Sequence, residues 1–201
     1  VSLRTARPSV SFRVQVQLSN ALLRELTAGR LDMALCALQD YVAPELAYSI
    51  VGTQSSYVVA REGHPLLGAK FALQDLAAYE WVLPPGDVGL RAWVEQMFTG
   101  AGQPGPRLFI EADATPVVFA SVVRSSDVLT VLTADSLCSP AAGGLHALPP
   151  PGPTWKLPMG LFWRRTAYVS APMRACRDEI SRRFGERTAE VDLGRRLRRK
   201  G

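Results

Sequence analysis

Apolar and polar positions along this chain follow two different periods, and the switches between them mark out its elements. Phe12, Val14 and Val16 alternate with Ser11, Arg13, Gln15 and Gln17, which predicts a strand over 11–17. Leu18, Leu22, Leu23 and Leu26 then fall on one face of a helix. Ser19 or Asn20 supplies a side-chain oxygen for the free N–H groups of its first turn. Gly29 stands where the helix must end in a left-handed residue, a conformation that only glycine takes cheaply. Leu31, Met33 and Leu35 next alternate with Asp32, Ala34 and Cys36, which is strand periodicity again.

The same switching continues to residue 185. Strands are predicted at 48–51, 56–60, 81–83, 108–111, 129–132, 145–148 and 156–163. Helices are predicted at 73–78 and near 134–137, and on the apolar faces Leu90–Trp93–Met97 and Phe119–Val122–Val123. Thr115-Pro116 opens one of these helices, with threonine as cap and proline in the first turn. The last helix starts at Ser170-Ala171-Pro172, buries Met173, Cys176, Ile180 and Phe184, and stops at Gly185. Strands alternating with helices predict an α/β protein with mostly parallel sheets. The chain leaves a first lobe near residue 60 and returns near 154, after the stiff run Pro149–Pro153. Two Rossmann-like lobes joined by two crossings follow: 1–60 with 154–185, and 61–153. In such folds ligands meet the carboxyl ends of strands and the starts of helices.

Composition narrows the function classes. The net charge is +5, but residues 186–201 alone hold six basic and three acidic side chains. The body is therefore close to neutral, and the pI of 9.4 belongs mostly to a basic C-terminal tail. No nucleic-acid surface is implied for residues 1–185. No apolar run is long enough to cross a membrane. Three scattered cysteines make neither a disulfide framework nor a zinc site, and read as buried or half-buried thiols. No Ser/His/Asp nucleophile elbow, H-E-x-x-H, P-loop or G-x-G-x-x-G occurs, so no enzyme, metal or cofactor is expected. Asp32 is expected to tie down local backbone, and His64 and His146 to have structural or solvent roles.

Several short motifs occur in a fixed order. They are Gly29-Arg30-Leu31-Asp32, Gly63-His64-Pro65-Leu66, Leu73-Gln74-Asp75-Leu76, Phe98-Thr99-Gly100-Ala101-Gly102, Glu111 with Thr115, and Ser170-Ala171-Pro172. In this order they resemble the effector-binding domain of LysR-type transcriptional regulators, over roughly residues 1–185. The chain departs from that pattern at Ser126-Asp127-Val128, where the family carries G-x-G-[IV] followed by proline. It also opens near the end of the family's first helix, without the opening strand or the N-terminal winged helix-turn-helix.

The resemblance implies a periplasmic-binding-protein-like fold of type 2, with a small effector held between the lobes where three helix starts face it. Ser19 matches a position whose hydroxyl often holds an anionic effector; as a cap alone it would serve the helix. Gly89 and Leu90 offer first-turn amides, and Arg91 is either a charge for the effector or a solvated surface residue. Thr115 caps the facing helix or touches the ligand. An organic anion or aromatic metabolite is the implied effector. A homodimer or homotetramer in the cytoplasm would reach DNA only through the helix-turn-helix. The alternative reading is a periplasmic solute-binding protein of the same architecture.

Overall fold

The structure is a computed structural model. It describes residues 10–39, 41–86, 88–112, 116–148 and 154–198, with the backbone alone for Pro116 and residues 187–198. The elements in chain order are α1 (Ser19–Thr27), β1 (Met33–Ala37), β2 (Leu46–Arg61), β3 (Glu80–Leu83), α2 (Gly89–Gly100), β4 (Arg107–Glu111), α3 (Pro116–Arg124), β5 (Thr130–Thr133), α4 (Ala134–Leu137), β6 (Leu145–Ala147), β7 (Thr154–Arg164) and α5 (Ala171–Arg198). Short 3-10 turns lie at Pro65–Leu67, Leu73–Ala78 and Pro140–Ala142. The chain divides into two compact units, residues 1–54 with 157–201 and residues 55–156. β2 and β7 each begin in one unit and end in the other, so they are the two connections.

In the first unit β1 pairs antiparallel with β7, in register from Met33–Trp163 to Ala37–Met159. β1 is covered on both faces. Ala34 and Cys36 pack with Leu26 of α1, Leu46 and Phe162, while Met33 and Leu35, like Ile180 and Phe184 of α5, pack against the cluster of Val51, Met159 and Leu161. That double burial suits a strand of small and aliphatic side chains. α1 ends as its glycine predicts. Gly29 has φ +78°, its N–H donates to the Leu26 carbonyl, and the Arg30 N–H donates to the Glu25 carbonyl. This pair of bonds is a Schellman closure, and it turns the chain directly into β1. The Arg164 guanidinium locks the same corner by donating to the carbonyls of Leu26 and Leu31. At Gly160 of β7 a Cβ would stand 2.7 Å from the Phe162 ring, so that ring occupies the space a side chain would need.

In the second unit β2 pairs antiparallel with β5 and with β6. β3 pairs parallel with β4, and Trp81 bridges in parallel to Leu129. Trp81 is fully buried, donates its indole N–H to the Leu76 carbonyl, and meets Phe98 of α2 edge-on. Thr130 is the buried polar exception on β5, and its hydroxyl is satisfied by the Val82 carbonyl at 2.7 Å.

Five expectations are corrected. Residues 11–17 form no strand; Phe12, Val14 and Val16 are exposed, and no described strand pairs with them. Alternation alone does not make a strand without a partner's hydrogen bonds. The two strands expected at 48–51 and 56–60 are one continuous β2. The ladders are mostly antiparallel among the described residues, because β2 and β7 re-enter beside strands of opposite direction. The last helix does not stop at Gly185 but runs to Arg198; that glycine has no left-handed φ, and its missing side chain faces the Val51 carbonyl at 3.7 Å. Asp32 is exposed and makes no hydrogen bond among the described residues, so it ties down nothing there.

Candidate functional site

α1 places Ser19 at its first residue, half-buried, with Leu18 in the cap position and no side-chain cap bond. The Ser19 hydroxyl instead forms a hydrogen bond with the Cys36 thiol on β1. Burial pushes the Cys36 thiol up to about 11, with the Ser19 bond pulling the other way. Cys36 is therefore a protonated thiol at neutral pH, and the Ser19 hydroxyl is the donor toward its sulfur, since its bond favours the ionised form.

α2 begins at Gly89, as its sequence position suggests. Gly89 is exposed, and the Trp155 indole lies 3.8 Å from where its Cβ would be. Trp155 stacks on Trp93, with ring centroids 5.9 Å apart and planes at 17°. Leu90 packs into the core beside Val94 and Phe98. Arg91 is not solvated. Its side chain is 11% exposed, and its guanidinium donates to Glu95 at 2.7 Å and Glu111 at 3.4 Å. It thus joins α2 to the end of β4 while carrying a charge into the first turn. Thr115 lies outside the described residues.

The turn after α3, where the family pattern has glycines, is built differently. Ser125 and Ser126 donate their hydroxyls to the Val122 carbonyl, closing the helix without any left-handed residue. Asp127 pairs with Arg61 at 2.8 Å, and the Asp127 carbonyl accepts from His64 Nε2 at 3.2 Å. His64 Nδ1 accepts from the Leu66 N–H at 3.1 Å, which requires that nitrogen to be unprotonated. His64 is 2% exposed, and burial lowers its pKa despite the Asp127 carbonyl. It is a structural histidine that fastens the Gly63–Leu66 turn to the Asp127 turn; His146 is exposed.

Hollows lie beside α1 and beside α3. One, of about 640 Å³, is a shallow groove beside α1 lined by Leu23, Arg24, Thr27, Gln39, Tyr41 and Leu46. The other, of about 280 Å³, is mostly apolar and lies between α3, β5 and α4. Neither contains Ser19, Gly89, Leu90 or Arg91. No group of three or more metal-ligating side chains occurs among the described residues. The sequence reading did not single out Cys36, Trp155 or Glu95, because each matters through a neighbour that only folding supplies.

Residues 1–185 match the LysR substrate binding domain family, and the chain belongs to it. The chain is 30% identical over 193 residues to the HTH-type transcriptional regulator GbpR of Azospirillum brasilense, covering 90% of this chain and 56% of that protein. It spans about half the length of the curated relatives it matches. Its fold matches the regulatory domain of CcmR from Synechocystis PCC6803 in complex with 2-PG, with TM-score 0.77 and 16% identity over 93% of this chain and 88% of that one. It also matches the effector-binding domain of QuiR in complex with shikimate, with TM-score 0.74 and 17% identity over 92% and 88%. The family is one of substrate-binding domains of regulators, not of enzymes. No described helix is long and apolar enough to cross a membrane.

Proposed function

We propose that this chain is the sensing part of a cytoplasmic LysR-type transcriptional regulator, and that a small organic anion or aromatic metabolite is its effector. The match of residues 1–185 to the family carries the reading. The effector's carboxylate is recognised by groups at helix starts: the Ser19 hydroxyl, the amides of Gly89 and Leu90, and the charge of Arg91. The Thr115 hydroxyl belongs to the same proposal. Helix N-termini suit anions because free N–H groups and the helix dipole point the same way. The structurally similar effector-binding domain of QuiR is in complex with shikimate, which supports a small acidic effector here.

Effector binding shifts the population of two arrangements by its differential affinity for them. In the whole protein, a homodimer or homotetramer, that shift controls DNA-binding domains outside this chain. A thermal-shift screen of small organic acids identifies the effector, since a ligand of the folded state raises the melting temperature. Calorimetric titration then tests the site. Ser19→Ala weakens binding by about tenfold, the scale of one hydrogen bond to a charged group, with an unchanged melting temperature. Equal affinity removes Ser19 from the site.

A further inference from the structure

The groove beside α1 has no part in the effector reading, and all of its lining lies in the first unit. Leu23, Arg24 and Thr27 share one face of α1 by their helical spacing. Gln39 and Tyr41, from the chain after β1, and Leu46, at the start of β2, complete the lining. The apolar part of the groove is the outer side of a packed core. Leu46 is 2% exposed and clusters with Leu26 and Phe162, and Leu23 packs against that cluster. The groove therefore has a fixed floor, and its volume of about 640 Å³ lies in the range of sites that take small molecules.

Its polar groups point to one kind of ligand. The Arg24 guanidinium has no ion pair or hydrogen bond among the described residues. Glu25, the next residue, is engaged by Arg30 through both carboxylate oxygens, at 2.6 and 2.7 Å. Those bonds hold its carboxyl below the usual range, with Arg24 a smaller contributor. Two arginines against one glutamate leave one net positive charge, carried by Arg24. No carboxylate stands among the described lining residues. Thr27 donates its hydroxyl to the Leu23 carbonyl, and Gln39 donates its amide to the Ala37 carbonyl. Tyr41 lines the groove yet is 75% exposed, so its ring is available to lie over an apolar body. A guanidinium favours a carboxylate, whose two oxygens match its paired N–H groups.

We propose that this groove is a second small-molecule site, which takes a flat aromatic monocarboxylate. Arg24 holds the carboxylate, Leu23 and Leu46 support the ring system, and Tyr41 covers it. The site shares no residue with the helix starts assigned to the effector, so it stands whether or not that assignment does.

The test is a nuclear magnetic resonance titration of the full isotope-labelled chain with 2-naphthoate, and separately with the neutral 2-naphthalenemethanol. Additions run to roughly 10 mM, because one ion pair over an open apolar floor supports a Kd on the order of 1 mM. 2-Naphthoate is expected to shift the amides of Leu23 to Ala28, the Gln39 side-chain amide and Tyr41, and the alcohol to do so far more weakly. Arg24→Gln should weaken naphthoate binding about tenfold, the scale of one charge-assisted bond, while Arg24→Lys keeps most of it. Tyr41→Ala should weaken it severalfold. Both side chains are exposed, so these variants should melt like the wild type. Ser19→Ala should leave the groove shifts unchanged. Equal affinity in Arg24→Gln overturns the proposal, as does equal binding of the alcohol. So do naphthoate shifts confined to Ser19, Gly89 and Leu90, which would place the probe at the effector groups and leave that reading intact. Groove shifts that appear on concentrating the protein alone, with none from naphthoate, would assign the groove to a second copy of the chain and overturn it too.

Discussion

The starts of α1 and α2 solve the same problem with different chemistry. Both end in backbone N–H groups that the helix itself cannot satisfy. α1 carries a hydroxyl, Ser19, pinned to a buried neutral thiol on the neighbouring strand. α2 carries no hydroxyl among its described first-turn residues; it has Gly89 against the Trp155 face and Arg91 held by two carboxylates. The first is a neutral start that can gain a charged partner at little structural cost. The second is an electrostatically fixed start whose guanidinium already has partners. A ligand contact at α1 should therefore be separable from stability, and one at α2 should not.

The largest effects come from the cores beneath the two helices. Trp81→Ala, under α2, and Phe162→Ala, under α1, each remove a fully buried ring. Each should cost about 3 to 5 kcal/mol in urea denaturation. A loss below about 1 kcal/mol for either would show that its core collapses into the space and does not fix the helix above it.

Gly160→Ala is next. Its Cβ would press the Phe162 ring from 2.7 Å, and Phe162 packs with Leu26 of α1. A loss of about 1 to 3 kcal/mol is expected, restored in part by shrinking Phe162 to Leu in the double variant. Strict additivity of the two changes would refute the clash.

The third prediction concerns pH and touches only the unit that holds α2. His64 keeps a lowered pKa in the folded state, so between that value and the ordinary 6.5 the unfolded chain binds the extra proton. Stability should be full above about pH 6.5, fall as pH drops below it, and level off under the folded pKa. Melting temperatures from about pH 7.5 to 5 should decline less steeply in His64→Gln than in the wild type. Parallel curves would mean that other groups govern the acid limb.

The smallest effects test the comparison directly. Arg91→Gln breaks two ion pairs whose carboxylate partners are about half-exposed, and should cost up to about 1 kcal/mol. It should also weaken effector binding. Ser19→Ala should change affinity alone. The reverse outcome, a stable Arg91→Gln and a destabilised Ser19→Ala, would exchange the roles assigned to the two helix starts.

Local chemistry carried much of this into the sequence. Leu22, Leu23 and Leu26 at helical spacing, Gly29 at the closure and the apolar run into Cys36 wrote α1 and β1 almost residue by residue, because capping and periodicity act between near neighbours. The ordered motifs named the family for the same reason. The sequence also located the start of α2 at Gly89. Partners distant along the chain were another matter. The bond from Ser19 to Cys36, the stacking of Trp93 on Trp155 and the grip of Glu111 on Arg91 join segments that periodicity treats as independent. Strand direction was hidden as well, since alternation looks the same in parallel and antiparallel ladders. Residues 11–17 show the converse, a strand pattern left without a described partner. What the sequence determined alone was which segments could be helix or strand and which family they compose; the tertiary structure decided which side chains met, because hydrogen bonds and burial depend on neighbours in space.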